Sequence, residues 1–252
     1  MAVGQDDLCP RSFNCIPPTV SFDIGTSPSY VSLVSSVFAC AGCFLLVGTY
    51  VVFKDLRKST AQSIVTQLAL ADLANAVGII IGAINFLVHF NSKEKNGSKS
   101  CQIFDTVCTL QSYITQWAGV TSYIWTSLLA VFLTLRYTCS DRATSIFAKM
   151  MPLFTVISWL FPLVYLIPML SLRKLGYSRY GASNWCYIKD NDYGNSLKSK
   201  WQTTILMIFA DWLWQILSML VVITSFTAIY IHLYCRVSNR YYTIHAAYVV
   251  LL

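Results

Sequence analysis

Charged residues are scarce in this sequence. They make up 12% of its 252 residues, whereas 56% of the residues are hydrophobic. An ordinary soluble domain carries about twice that charged fraction. A chain with so few charges and so much apolar side chain is therefore not expected to form a water-soluble globular fold.

Charge is missing above all from five long apolar runs. About 20 helical residues cross a hydrocarbon core of roughly 30 Å, so each run of about 18 or more apolar residues predicts a transmembrane helix. The period-2 alternation of a membrane barrel is absent, and backbone groups in lipid must pair within their own helix. The sequence therefore predicts an all-α, polytopic membrane helical bundle. Its predicted spans are residues 30–53, 61–90, 106–137, 150–172 and 201–234.

Motifs for catalysis and for metal or nucleic-acid binding are missing as well. The three histidines, His89, His232 and His245, are far apart and lack metal-ligand spacing. The sequence contains neither a Gly-rich phosphate loop nor a nucleophile elbow. The net charge of +7 is scattered among loops rather than gathered on one face. We therefore predict a protein that is not an enzyme, needs no cofactor or metal, and binds no nucleic acid.

The orientation in the membrane follows from the first hairpin. The short loop "KDLRKST" after the first span holds three basic residues, whereas the preceding tail holds only Arg11. Basic residues near the first span favour the cytoplasmic side, although the total over all loops does not decide the orientation. We therefore predict that residues 1–29 form an extracellular tail, without a cleavable signal peptide. Residues 236–252 are then a cytoplasmic tail of atypical sequence.

Several cysteines lie in segments that this topology places outside, where disulfides can form. They are Cys9, Cys15, Cys101, Cys108 and Cys186. Their spacing cannot fix the connectivity. A bridge from Cys108, at the top of the third helix, to Cys186 would hold the second outer loop over the bundle as a lid. The alternative is an unpaired loop cysteine packed between Trp185 and Tyr187. Asn96 begins "NGS", a glycosylation acceptor if that loop is lumenal.

Two acids interrupt the apolar runs. Asp72 is the only charge in the second span, and a charged residue at mid-bilayer costs about 2.5 to 3.5 kcal/mol on insertion scales. We therefore expect Asp72 to face the interior of the bundle. It is either a protonatable switch between two helix packings or a neutral acid hydrogen-bonded to a neighbour. Asp211 in the fifth span is a second such acid and favours a polar interior.

The third predicted helix carries a polar stripe. Its members recur at three, four and seven residues, which places them on one face of a helix. They are Gln111, Ser112, Thr115, Ser122 and Thr126. The stripe predicts a cavity open to the outside, and hydrogen bonding between helices is the alternative. Together with Trp185 and Trp214, its residues Gln111, Ser112, Thr115 and Ser122 form the predicted ligand pocket.

Short motifs along the chain carry a resemblance to a known family. In order they are "DLR" (55–57), "LALADL" (68–73), "CTLQ" (108–111), "YIWT" (123–126), "VISWLFPLV" (156–164), "LRKLGY" (172–177), "NWCYI" (184–188) and "LWQIL" (213–217). This collinear set resembles the orphan G-protein-coupled receptor 157 group. These are seven-helix receptors related to the slime-mould cyclic-AMP receptors and, more distantly, to the secretin-like class. The pair "KLGY" and "WCYI" is the most specific part.

The resemblance implies a receptor function. It implies a Cys108–Cys186 disulfide, an extracellular ligand that enters the helix bundle directly, and a heterotrimeric G-protein partner, suggested to be of the Gq type. Arg57 and Arg136 are the candidates for contacts on the G-protein side, although "LRYTCSD" around Arg136 departs from the Asp-Arg-Tyr of rhodopsin-like receptors. The expected location is the plasma membrane, including the ciliary membrane, with surrounding lipid and a receptor homo-oligomer as further partners.

The sequence departs from the resemblance in length. Seven helices are expected, and helices six and seven are absent, because "YYTIHAAYVVLL" at residues 241–252 is too short to span. The expectation is an incomplete receptor that does not signal alone. One alternative is a truncated receptor that acts only as a non-signalling modulator, by pairing with an intact receptor and retaining it in the endoplasmic reticulum. A membrane transporter is the alternative from another class, favoured by Asp72 and Asp211. No internal repeat of the kind transporters use supports it.

Overall fold

A computed structural model describes residues 27–91, 98–138, 141–176, 186–188, 201 and 204–250 of the chain. Trp185, Asn96, Cys9 and Cys15 fall outside these residues. The elements in chain order are α1 (Ser27–Val52), a 3-10 turn (Leu56–Lys58), α2 (Thr60–Asn91), α3 (Ser98–Thr138), α4 (Asp141–Leu160), α5 (Leu163–Ser171), β1 (Leu175–Gly176), β2 (Tyr187–Ile188), a π-helical segment (Ile208–Trp212) and α6 (Leu213–Val250).

Five helical stretches in the described part of the chain are long and apolar enough to cross a membrane. They are Ser29–Val52, Thr60–Val88, Ile103–Thr138, Asp141–Ser171 and Thr204–Arg236. This confirms the predicted membrane bundle of five transmembrane helices. The fourth stretch begins at Asp141 instead of residue 150, and the acidic side chain in the first turn of α4 suits the positive end of the helix dipole. The last helix continues to Val250, beyond the membrane-spanning stretch that ends at Arg236.

Proline divides the fourth stretch into α4 and α5. Pro162 has no backbone N–H and therefore cannot continue the hydrogen-bond ladder of α4. The helix resumes immediately after it, because the Pro162 carbonyl accepts a hydrogen bond from the Leu166 N–H at 3.1 Å. The two halves of the stretch remain helical on either side of Pro162, so this span still crosses the bundle.

Helix α3 lies at the centre of the molecule. It contacts α2, α4, α5, α6, both short strands and the π-helical segment. At one end of the bundle, Trp125 is fully buried. Its hydrophobic cluster comprises Ile64, Trp125, Phe132, Phe147 and Met151. By contrast, α1 and α6 present large apolar side chains outward, among them Phe38 and Tyr230. Outward apolar side chains are what a helix facing lipid requires.

Two glycines let α2 approach α3 closely. A Cβ atom added at Gly78 would lie 2.7 Å from Thr115 Cγ2, and one added at Gly82 would lie 2.7 Å from Gln111 Cδ. Small residues one helical turn apart are a common means of close packing between membrane helices, because they bring the two backbones together. Gly78 and Gly82 thereby position the α3 residues that carry the predicted pocket.

Candidate functional site

A disulfide joins α3 to the short β-hairpin. Cys108 and Cys186 are bonded to each other, 78 positions apart in sequence with Cα atoms 5.3 Å apart. Both are buried and pack against Phe104. The strand pair β1 and β2 is antiparallel, with Leu175 opposite Ile188. We call residues 175–176 and 186–188 the tethered hairpin, and the end of the bundle where they lie the hairpin end.

Polar side chains of α3 hold the main chain of the tethered hairpin. The Cys186 N–H donates to Gln111 Oε1 at 3.0 Å. The Ser112 hydroxyl donates to the Tyr187 carbonyl oxygen at 2.5 Å. Since Gln111 and Ser112 are both almost completely buried, these bonds satisfy groups that water cannot reach. The structure thus brings these two predicted pocket residues against the hairpin, as its anchors.

The other two predicted α3 residues, Thr115 and Ser122, face α2 instead. The Thr115 hydroxyl donates within its own helix to the Gln111 carbonyl at 3.0 Å. The Ser122 hydroxyl donates to Asp72 Oδ1 at 2.7 Å. The partner of Asp72, which the sequence did not identify, is therefore a hydroxyl on α3.

Asp72 also lines a groove between α1 and α2. The groove has a volume of about 580 Å³, and its wall includes Ser35, Ser36, Cys43 and Asn75. Asp72 forms no ion pair with any of the residues that the structure describes. Asp72 thus keeps one hydroxyl partner, Ser122, and the groove beside it leaves room for a different hydrogen-bond partner.

Trp214 lies at the start of α6. Its indole N–H donates to the Phe209 carbonyl at 2.8 Å. Its ring packs edge to face on Phe161, with centroids 5.0 Å apart. Trp214 thus packs against the break between α4 and α5, rather than standing free near the hairpin anchors.

The two predicted G-protein contacts lie at the end opposite the hairpin. The Arg57 guanidinium donates to the carbonyl oxygens of Tyr50, at 3.2 Å, and Val51, and so satisfies the last turn of α1. Arg136 is 3.3 Å from Asp141 in an exposed ion pair. Arg136 also lines a cleft of about 330 Å³. Of the two arginines, Arg136 is the one beside an open cleft, and Arg57 is engaged with its own helix.

A polar cluster that the sequence analysis did not assemble lies beneath the hairpin. The Asp211 carboxylate is in hydrogen-bonding proximity to the Tyr123 hydroxyl. The phenols of Tyr165 and Tyr187 lie close enough to Asp211 to interact electrostatically with its carboxylate. Burial, and secondly the Asp211 charge, raise the pKa of the Tyr187 phenol, so this phenol stays protonated and can donate a hydrogen bond. We call Gln116, Tyr123, Tyr165, Tyr187 and Asp211 the Asp211 cluster.

Two members of this cluster have unused hydrogen-bonding capacity. The Gln116 side-chain amide lies beside the Tyr187 hydroxyl. Even so, within the described residues neither Gln116 Oε1 nor the Tyr187 hydroxyl has a partner at normal hydrogen-bond geometry. The spacing of seven residues between Gln116 and Tyr123 was a signal for a shared helix face. The residues that the structure describes contain no group of three or more His, Cys, Asp or Glu side chains arranged to hold a metal ion.

Replacing Gly82 with alanine is expected to loosen the tethered hairpin. The new methyl group would meet the Gln111 side chain at 2.7 Å and push it away from the Cys186 N–H. Inserting a methyl group into a packed contact typically costs about 1–3 kcal/mol. Thermal unfolding in detergent should detect the loss, and amide exchange at Cys186 should become faster.

Gly48→Ala is the matched control, because nothing lies within 4 Å of a Cβ atom at Gly48. Alanine is the better helix former by up to about 1 kcal/mol, so Gly48→Ala should be neutral or stabilising. Equal thermal midpoints for Gly82→Ala and Gly48→Ala would contradict the close contact between α2 and Gln111.

Comparison with known proteins agrees with this architecture. The family model of the 7 transmembrane receptor (Secretin family) matches residues 25–250. The chain is 28% identical over 203 residues to human "G-protein coupled receptor 157", a match that covers 80% of this chain and 52% of the relative. It is 31% identical over 159 residues to the mouse protein of that name, covering 63% and 43%.

The chain therefore spans about half the length of the curated relatives it matches. The matched region includes all five membrane-spanning stretches and both cysteines of the disulfide. These matches confirm the resemblance drawn from the motifs. The chain belongs to the secretin family of seven-transmembrane receptors.

Proposed function

We propose that this chain receives an extracellular ligand at the hairpin end and transmits the signal to a heterotrimeric G protein. The observation that carries the proposal is the tethered hairpin, which a disulfide and the Gln111 and Ser112 side chains hold across the end of α3. Disulfides persist in oxidising compartments, which supports an extracellular hairpin end. The basic loop after α1, at the opposite end, supports the same orientation.

The proposed ligand pocket lies between the hairpin and the helices below it. Gln111 and Ser112 fix the hairpin backbone, and Trp185, next to Cys186 in sequence, is the proposed ligand contact from the loop. Trp214 and the Asp211 cluster would form its floor and sides. A ligand that binds one arrangement of the helices better than another shifts the population toward that arrangement.

Asp72 and Ser122 are the proposed switch within the membrane. Their hydrogen bond joins α2 to α3, and the adjoining groove leaves room for a change of partner. A small movement of α3 under the hairpin would lengthen this bond. We propose that the change is read at the opposite end through Arg136 and its cleft, with Arg57 holding the end of α1 and the adjacent loop, by a G protein of the Gq type.

The proposed location is the plasma membrane, including the ciliary membrane, with lipid around the apolar faces of α1 and α6. Homo-oligomers of the receptor are part of this proposal, as is N-glycosylation at Asn96. Expressed without further helices, the chain is proposed to stay in the endoplasmic reticulum and to pair there with the intact receptor. Coexpression with surface labelling tests this pairing, and unchanged surface levels of the intact receptor would count against it.

The signalling proposal is tested with a chimera that continues this chain into the remaining helices of the human relative. In cells that contain Gq, the chimera should raise basal inositol phosphate above the level seen with empty vector. Arg136→Ala should lower that signal without lowering surface expression, because Arg136 lies at the open cleft. Arg142→Ala is the matched control, because Arg142 is an exposed arginine at the start of α4 that does not line this cleft.

A chimera that reaches the surface but activates none of the Gq, Gs and Gi classes would contradict the signalling function. Uptake of radiolabelled solutes by the same cells would then favour a transporter instead.

A further inference from the structure

Three tyrosines from three different elements surround one carboxylate at the hairpin end. Tyr123 is on α3, Tyr165 is on α5 and Tyr187 is on β2, and all three interact electrostatically with Asp211. Nothing in the local sequence requires this convergence. It depends on the disulfide and on the hydrogen bond from Ser112, which set the position of β2. The Asp211 cluster is therefore a product of the tertiary structure.

The π-helical segment places Asp211 in this position. Residues Ile208–Trp212 form the wider helical turn, which is rare and frequently found at functional sites. Side chains stabilise its irregular backbone. The Tyr165 hydroxyl donates to the Ala210 carbonyl at 3.3 Å, and the Trp214 indole donates to the Phe209 carbonyl at 2.8 Å. Since the Tyr165 hydroxyl donates its hydrogen bond to the Ala210 carbonyl, the Asp211 carboxylate does not receive a hydrogen bond from Tyr165.

The cluster is incomplete as it stands. Gln116 is 6% exposed, and its Oε1 atom has no partner among the described residues. The Tyr187 hydroxyl is also buried without a hydrogen-bond partner among the described residues. Asp211 forms no ion pair within the described part of the chain. A buried polar atom without a partner is destabilising, so Gln116 Oε1 and the Tyr187 hydroxyl, which lies within range of the Asp211 charge, indicate a site for something that donates hydrogen bonds.

We propose that the Asp211 cluster binds the ammonium group of a small organic cation. An ammonium group supplies N–H donors for Gln116 Oε1 and the Asp211 carboxylate, and its charge balances that of Asp211. Tyrosine rings attract a cation through their negative faces, most strongly where water is excluded. Carboxylate repulsion disfavours an anion. The proposal deepens the proposed function, on which it rests, by naming the chemical class of its ligand.

The probe is phenethylamine, and 2-phenylethanol is its neutral counterpart of similar shape. The chain is placed in nanodiscs of phosphatidylcholine, a lipid without net charge, and probe binding is measured by calorimetry against empty nanodiscs. Phenethylamine should bind at millimolar or lower concentration and at least tenfold more tightly than 2-phenylethanol. Asp211→Asn, which keeps the shape and removes the charge, should weaken phenethylamine binding at least tenfold. Asp55→Asn, at the opposite end, should leave it unchanged.

Tyr187→Phe provides an independent measurement. Removing a hydroxyl that has no partner should leave the thermal midpoint of the free chain unchanged or slightly higher. The same variant should weaken phenethylamine binding severalfold. A Tyr187→Phe chain that melts several degrees earlier without any probe would mean that the hydroxyl is already bonded and the site already filled.

Equal affinity of the parent chain and Asp211→Asn for phenethylamine, equal affinity of the two probes, or no binding at all would overturn the cation proposal. These results are separable from those of the chimera. If the chimera activates G proteins and the amine does not bind, the receptor function stands and its ligand is of another class. If the amine binds through Asp211 and the chimera is silent, the site stands and the signalling proposal falls.

Discussion

Replacing Cys108 with serine should lower the free energy of unfolding by about 2–5 kcal/mol and the thermal midpoint by roughly 5–15 °C. The disulfide closes a long segment, because its cysteines are 78 positions apart in sequence. Cutting it restores conformational freedom to the unfolded chain. The folded state also loses a contact, because Cys108 is fully buried. Thermal unfolding of the purified chain in detergent gives both quantities.

Cys235→Ser is the matched control for this substitution. Cys235 is exposed and unpaired in the structure, so its replacement should leave the midpoint unchanged. Cys186→Ser should resemble Cys108→Ser, and the double variant should be no less stable than either single variant. If the double variant lost the sum of the two single effects, the cysteines would be acting separately and not as one bridge.

Replacing Trp125 with alanine should cost about 3–5 kcal/mol, the range typical of removing a buried aromatic side chain. Trp125 is completely inaccessible and packs in the cluster with Ile64, Phe132, Phe147 and Met151. Between membrane helices the loss is mainly one of van der Waals contacts, because lipid is as apolar as the core. The cavity left by the indole would weaken the contact of α3 with α2 and α4. Denaturation in mixed detergent micelles measures this loss.

Two further variants separate burial from the chemistry of tryptophan. Trp125→Phe should cost less than Trp125→Ala, because the Trp125 indole N–H has no hydrogen-bond partner among the described residues to lose. Trp212→Ala should have little effect on stability, since Trp212 is 56% exposed. If Trp212→Ala destabilised the chain as much as Trp125→Ala does, the assignment of the core would be wrong.

The membrane bundle could be predicted from the sequence because hydrophobic length is a local property. Each span can be recognised from about 20 consecutive apolar residues, without information on the rest of the chain. The pairing of Cys108 with Cys186 was not local in this way. Spacing left several connectivities open, and the family resemblance supplied the pairing that the structure contains. Gln111 and Ser112 were identified as polar residues of one face, but not as anchors of the hairpin.

The Asp211 cluster could not be predicted, because its members come from four separate segments. Tyr165 and Tyr187 approach Asp211 only after Pro162 has divided the fourth span and the disulfide has placed β2. The partner of Asp72 could not be predicted for the same reason, since nothing in "LALADL" indicates a hydrogen bond with Ser122 on another helix. Gly78 and Gly82 resembled ordinary small residues of an apolar run. Their effect is visible only against Gln111 and Thr115 on α3.

The tethered hairpin is the central element of this account, and peptide mapping of unreduced material tests it most directly. The chain is purified with free thiols blocked, digested and analysed by mass spectrometry before and after reduction. We expect one linked pair of peptides, containing Cys108 and Cys186, that separates into its two components on reduction. Recovery of both cysteines with the blocking group attached before reduction would contradict the account.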